Sequence, residues 1–340
     1  MAEGPRALVG DIGATNSRLA LVEPDGSFSQ IRVYATDSFA GPGEMIEAYF
    51  SSKARMQRPP EAVLAMASPI VGDRVAFTNM PWSFSIEELR KRIGFKRLQL
   101  INDFVANALA VPHLAAQDRE QVGGGNPEAN APVGVIGPGS GLGVSALAFK
   151  DGAPVPIEGE GGHVTMAPAD ENEAAVLDIL RKRFDHVSAE RVLCGPGLVN
   201  LYAALCELHD ERQEQFSPAQ ITDARIGADH PRASEATAMF CAMLGTVAGN
   251  LALTLGARGG IYIAGGIVPR LGATFTQSAF RVRFEAKGRF RDYLAAVPVY
   301  VITRQMPALL GAASLLSGEI SRLASESHPD TSERPPAAAK

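Results

Sequence analysis

A carboxylate sits among glycines and hydroxyl-bearing residues near the start of the chain, in Gly10-Asp11-Ile12-Gly13-Ala14-Thr15-Asn16, with apolar runs on both sides. A glycine bend exposes backbone N–H groups that can hold phosphate oxygens, because no Cβ blocks the approach and the small dipoles point at the anion. Asp11 would repel a phosphate unless a cation or its water stood between them. Mg2+ keeps most of its waters and commonly bridges a carboxylate to nucleotide phosphates. Thr15, Asn16 and Ser17 can donate hydrogen bonds beside it. One such bend is equally the tight turn of an ordinary hairpin. A second bend, GPGSGLG at 137–143, repeats the device with Gly139, Ser140 and Gly141 at its tip, and this repetition favours the phosphate reading.

Three further places could do chemistry. Asn102 and Asp103 end an apolar run and precede a helical stretch, where side chains often project from a sheet edge. Asp103 could orient a hydroxyl and take its proton, or simply cap the following helix. In Glu160-Gly161-Gly162-His163 a carboxylate precedes an imidazole by three residues. This reads as a sugar-facing pair, a solvated loop or half a metal site. No second His stands at the spacing of a helical zinc motif, which disfavours metal. Gly265 and Gly266 follow an apolar strand, where backbone could lie against an adenine or ribose or merely turn into a helix. Glu190 follows Ser188 at the start of a helical turn, and its local pattern suits a carboxylate complementing a helix dipole.

The elements that must position these residues are partly legible. Ala7–Val9 and Arg18–Val22 read as strands, with a turn signal at 23–27 and a third strand near Ile31–Tyr34. A helix is expected over Met45–Lys53, a strand at 62–70, a helix at 85–94 with Ser85 as N-cap and Gly94 as stop, and a strand at 98–103. Beyond a helix near Phe104–Leu114 and a loop at 123–132, the stretch 133–149 is again strand, bend, strand. The two hairpins, about 125 residues apart, suggest two related halves facing one another across a cleft. Helices are expected near Glu171–Phe184, Leu198–Leu208, Glu235–Leu255 and Pro307–Leu316, with a buried strand at 261–266.

The chain has 340 residues, 46% of them hydrophobic, enough for one large domain or two. Net charge is −5 with no Lys/Arg cluster, so neither nucleic acid nor an anionic membrane is an expected partner; a small soluble ligand is. Cys194, Cys206 and Cys241 are odd in number and fit no metal spacing, which predicts buried, reduced thiols. No run reaches about 18 uninterrupted apolar residues and the N-terminus lacks a signal-peptide pattern, so a cytoplasmic location is expected.

Taken in order, GDIGATN, INDFVANALAVP, GPGSGLG, EGGHVTMAP, SAERVLCGPGLVNLY, IYIAGGIVPR and GRFRDYLAAVPVYVI resemble the ATP-dependent bacterial glucokinases, within the hexokinase, actin and heat-shock chaperone superfamily. The similarity runs from about residue 7 to 318, and the motifs are specific as a set rather than singly. It implies an α/β fold of two actin-like, ribonuclease H-like domains with mixed five-stranded sheets, closing over glucose and ATP·Mg2+, and a homodimer acting in glycolysis. The expected division is a small domain 1–111 joined by a C-terminal helix at about 305–322, a large domain 112–304, and a disordered tail 325–340. On the matching motifs, Asp103 is the general base and Asn102, Asp103, Glu160, His163 and Glu190 contact the sugar. Gly10 to Asn16, Gly139 to Gly141, Gly265 and Gly266 bind the nucleotide, and Asp11 meets Mg2+ through water. Two departures stand out: Ala14 replaces a usual Gly, and Ser140 a usual Thr. The zinc-binding Cys motif and the helix-turn-helix of the repressor-related branch are absent. The rival readings are a kinase for another hexose or amino sugar, and a sugar-responsive binding protein without turnover. Intact Asp11, Asp103 and both bends argue against the second.

Overall fold

Each glycine bend closes the first hairpin of a sheet, and the two sheets are wound alike. In the first, β1 (Ala7–Ile12), β2 (Asn16–Val22) and β3 (Phe28–Ala35) form an antiparallel meander. A helix over Pro42–Ser51 leads to β4 (Glu61–Met66), parallel to β1. The small hairpin of β5 (Arg74–Ala76) and β6 (Ser83–Ser85) leads to the helix Ile86–Ile93, and β7 (Arg97–Asn102) then lies parallel to β4. The order is β3-β2-β1-β4-β7. The computed structural model describes residues 4–52, 57–77 and 80–316, so the tail expected at 325–340 lies outside the described residues.

The second sheet contains β8 (Arg119–Gln121), β9 (Val133–Pro138), β10 (Leu142–Lys150), β11 (Ala153–Gly159), β12 (Gly260–Ile263) and β13 (Val299–Ile302). Its order is β11-β10-β9-β12-β13-β8: again a three-stranded meander, then two strands parallel to the first. The expected five strands become six because β8 pairs antiparallel along the outer edge of β13. Its Arg119 side chain holds it there, with the guanidinium carbon 4.6 Å from the Tyr300 ring centre and a 2.7 Å hydrogen bond to the Tyr262 hydroxyl.

The chain divides into two compact units, one made of the residues before Asn107 and from Ala308 on, the other Asn107–Pro307. Each has its own core. In the first, Leu8, Ile12, Leu19, Leu64 and Met66 from the sheet meet Met45, Tyr49 and Leu89 from the helices. In the second, Ile136, Ile261 and Val299 pack against Leu201, Phe240, Leu244, Phe280 and Phe284. The helix Pro231–Leu255 is long and apolar enough to cross a membrane, but 67% of its most apolar window is buried inside the protein. It packs against the helices Gly195–Leu208 and Phe280–Glu285 as the central helix of that core. All three cysteines are free and buried there.

The local signals place several elements closely. The Ser85 side chain accepts the Glu88 N–H at 3.1 Å, and Gly94 ends that helix in the left-handed region at φ 88°. β1 and β2 extend inwards to the bend, to Ile12 and Asn16, so only residues 13–15 turn.

Candidate active site

In the first unit the chemistry gathers at one edge of the sheet. Ile12, Met66 and Asn102 stand side by side at the carboxyl ends of parallel strands β1, β4 and β7. Strand spacing of roughly 5 Å puts the ends of β1 and β7 about 10 Å apart. The first bend leaves one of these ends and Asp103 the other.

The bend is fixed from behind. Gly13 N–H donates to the Asn16 carbonyl at 3.2 Å and Thr36 N–H to the Thr15 carbonyl at 3.0 Å. The Thr36 hydroxyl donates to the Gly13 carbonyl at 2.8 Å and meets the Ser17 hydroxyl at 2.8 Å. Ser17 is therefore fully buried and holds the bend, whereas Thr15 and Asn16 are exposed at its tip. Gly10 also faces inwards: a Cβ there would lie 2.7 Å from Leu64 and 2.8 Å from Leu19, so the glycine admits core side chains. Ile12 is likewise a core residue. Ala14 is not among the residues with positive φ, and its backbone takes the methyl group that replaces a hydrogen without strain.

Asp11 stands across the hairpin from Arg18, with 3.2 Å between Oδ2 and Nη1. Its side chain is 17% exposed, and burial pushes its carboxyl above the ordinary range while Arg18 pulls the other way. Sequence reading did not single out Arg18, although a bend at 13–15 pairs residue 11 with 18 by register alone. No group of three or more His, Cys, Asp or Glu side chains suited to a metal occurs among the described residues. A lone carboxylate already paired with Arg18 fits a hydrated Mg2+ carried in on a nucleotide, held by Asp11 through water, and does not fit a resident metal.

At the end of β7, Asn102 caps the helix Asp103–Ala110: its Oδ1 accepts Phe104 N–H at 2.8 Å and Val105 N–H at 3.2 Å. Asp103 Oδ1 also accepts Phe104 N–H, at 2.9 Å. The helix thus has a cap in Asn102, and Asp103 is not needed for one. With Oδ1 spent on the cap, the Asn102 amide NH2 is the part of that side chain that can donate to a ligand.

In the second unit the second bend, the loop after β11 and the Ser188–Gly195 segment come together. Gly139 N–H donates to the Gly141 carbonyl at 2.8 Å, closing a bend with Ser140 exposed. Glu160 precedes a single 3-10 turn, Gly161–His163, whose His163 N–H donates to the Glu160 carbonyl at 3.0 Å. Residues three apart around such a turn project to similar sides, and both side chains are exposed. Glu190 reaches this group from a distant stretch, its N–H on the Gly162 carbonyl at 2.9 Å and its Oε2 accepting Leu142 N–H at 2.8 Å. Gly265, at φ 84°, follows β12, and a Cβ there would lie 2.4 Å from the Pro138 carbonyl oxygen. Gly265 and Gly266 are exposed beside the second bend. A separate cavity of about 330 Å3 in the first unit, lined by Gly41, Pro42, Trp82, Phe84, Leu89 and Arg92 among others, contains none of these residues.

A sequence model of glucokinase matches residues 8–319. A glucokinase of Paramagnetospirillum magneticum is 50% identical over 311 residues, covering 91% of this chain and 97% of its own. The crystal structure of a glucokinase from an Antarctic psychrotroph superposes with a TM-score of 0.81 at 33% identity, covering 92% of this chain and 99% of its own. A more distant fold match, at 18% identity and a TM-score of 0.63, is a ROK family glucokinase from Streptomyces griseus in complex with glucose and AMPPNP, covering 91% of this chain and 98% of its own.

Proposed function

The chain belongs to the glucokinase family, and we propose the roles of its residues on that footing. It is an ATP-dependent hexose kinase that transfers the γ-phosphate of ATP to the 6-hydroxyl of glucose. In the proposed mechanism Asp103 accepts the proton of that hydroxyl as its oxygen bonds to the γ-phosphorus. The bond from the γ-phosphorus to the bridging oxygen breaks, and its electron pair leaves on ADP. The observation that carries this role is the capping of the Asp103 helix by Asn102, which explains the helix start without Asp103.

Asn102, Glu160, His163 and Glu190 supply the hydrogen bonds that select the sugar. Each buried partner left unmet by a wrong sugar costs about 1–3 kcal/mol. Gly13 and Gly139 close the two bends with N–H groups already bonded to the Asn16 and Gly141 carbonyls. Ala14 to Asn16, with Ser140 and Gly141, present backbone and hydroxyls to the phosphates, and Gly265 and Gly266 lie against the adenosine. Gly10 and Ile12 serve by packing the strand beneath the first bend. Asp11 would hold a nucleotide-borne Mg2+ through water, and the ion would supply charge neutralisation at the phosphates. The enzyme works in the cytoplasm as a homodimer, supplying glucose 6-phosphate to glycolysis.

A coupled assay across a panel of sugars and phosphate donors tests the reading. Glucose with ATP and Mg2+ is expected to give the highest kcat/KM. Faster turnover of mannose or N-acetylglucosamine than of glucose would overturn the substrate assignment.

A further inference from the structure

We propose that Glu190 is a positioning residue for the second glycine bend, so that the carboxylate assigned to the sugar also sets the backbone assigned to the phosphates, and each ligand tightens the binding of the other. The inference rests on the site roles given above and adds a coupling between them.

Leu142 is the first residue of β10 after the bend, and in the hairpin register it faces Pro138. Its N–H donates to the Glu190 carboxylate, at 2.8 Å. A hydrogen bond to a charged acceptor is roughly twice as strong as a neutral one, so this contact fixes one side of the bend. The rest of the arrangement leaves no slack. The Glu190 N–H binds the Gly162 carbonyl, inside the loop that carries Glu160 and His163. A Cβ on Gly162 would lie 1.9 Å from the Leu142 carbonyl oxygen, so loop and bend are in direct contact. Gly195 N–H donates to the Gly139 carbonyl at 2.8 Å, tying the other side of the bend to the segment that follows Glu190. A Cβ on Gly141 would stand 2.5 Å from Glu190 Oε2, in the space the carboxylate needs.

Only one oxygen of Glu190 is engaged in this way, and Oε1 has no protein hydrogen bond among the described residues. A sugar hydroxyl donating to Oε1 holds the carboxylate where Oε2 meets Leu142. A phosphate ordering the bend holds Leu142 N–H where Oε2 receives it. Linkage makes the effect reciprocal, of equal factor on both affinities.

The test is binding without turnover, by calorimetry on the full chain, with glucose and Mg·ADP titrated separately and together. In the wild type, saturating Mg·ADP is expected to tighten glucose binding by about fivefold or more. In Glu190→Ala that ratio falls to about one and the affinity for Mg·ADP alone drops by about three- to thirtyfold, although ADP touches no sugar site. Glu190→Gln keeps an acceptor for Leu142 N–H and holds ADP affinity within about threefold of wild type while weakening glucose. Gly141→Ala is the converse variant: Gly141 is not among the positive-φ glycines, so its backbone accepts alanine, but the methyl evicts the Glu190 carboxylate. Glucose affinity without nucleotide should then fall by about fivefold or more, in a protein whose circular dichroism matches wild type. Unchanged ADP affinity in folded Glu190→Ala, or unchanged glucose affinity in Gly141→Ala, overturns the inference. A wild type that binds both ligands without coupling overturns it alone. A wild type that binds neither overturns the assigned function with it.

Discussion

Asp11, proposed to face the nucleotide's metal, carries a stability cost at the residue scale. Its carboxyl is raised because burial disfavours the charge by more than Arg18, 3.2 Å away, favours it. For a carboxyl whose folded pKa lies above its ordinary 3.8, the protonated form favours folding. That contribution is complete below about pH 3.8 and is lost as pH rises through the folded value. At neutral pH ionised Asp11 therefore destabilises the free protein. Asp11→Asn should melt higher than wild type at pH 7, with an advantage that shrinks as the pH approaches 4, and its KM for Mg·ATP should rise. Melting curves from pH 4 to 8 decide it: a variant less stable than wild type throughout would show that the Arg18 pairing outweighs burial. The same residues mark what a sequence discloses. Asp11 and Arg18 are seven apart on a hairpin, and register alone could have paired them. Thr36, which ties down the bend through Gly13 and Ser17, comes from the 3-10 turn just after β3 and carries no local signal.

At the scale of elements, local signals succeed where the interaction is local. Ser85 and Gly94 bound their helix by contacts within a few residues, and both were legible. Ser85 also donates to the Asp73 carboxylate at 2.6 Å, which helps to hold that acid below the ordinary carboxylate range. Ser85→Ala should cost about 1–2 kcal/mol in urea unfolding with kcat unchanged, and no measurable loss would remove the cap from the account. Strands β8, β11 and β13 went unseen for different reasons. β13 is four residues buried on both faces, too short to distinguish from a helical fragment. β8 is Arg-Glu-Gln, held by rings far along the chain. β11 contains Pro154 and Pro156, which an edge strand tolerates and an interior one does not. Glu190 and Leu142 are 48 residues apart, so their contact required the fold.

Across the whole molecule, two sheets wound in the same order each present a glycine bend after the first strand, and the repetition of that bend was legible in the sequence. The family match rests on motifs in order over most of the chain, and the fold agrees with it. The second unit buries Cys194, Cys206 and Cys241, and burial raises all three thiols, Cys194 and Cys241 to about 11. Thiol reagents at pH 7.5 should therefore leave the native enzyme unmodified and label all three groups in denaturant. Rapid labelling of the native protein would contradict the packing of that core. The proposed role of Asp103, taking the proton during phosphoryl transfer, is tested most directly by turnover of Asp103→Asn beside wild type, with glucose affinity measured on the same preparations. The expected kcat is lower by about 100-fold or more with the glucose Kd within about threefold of wild type, because an amide keeps the hydrogen bond and cannot accept the proton. A folded Asp103→Asn enzyme that turns over within about tenfold of wild type would contradict it.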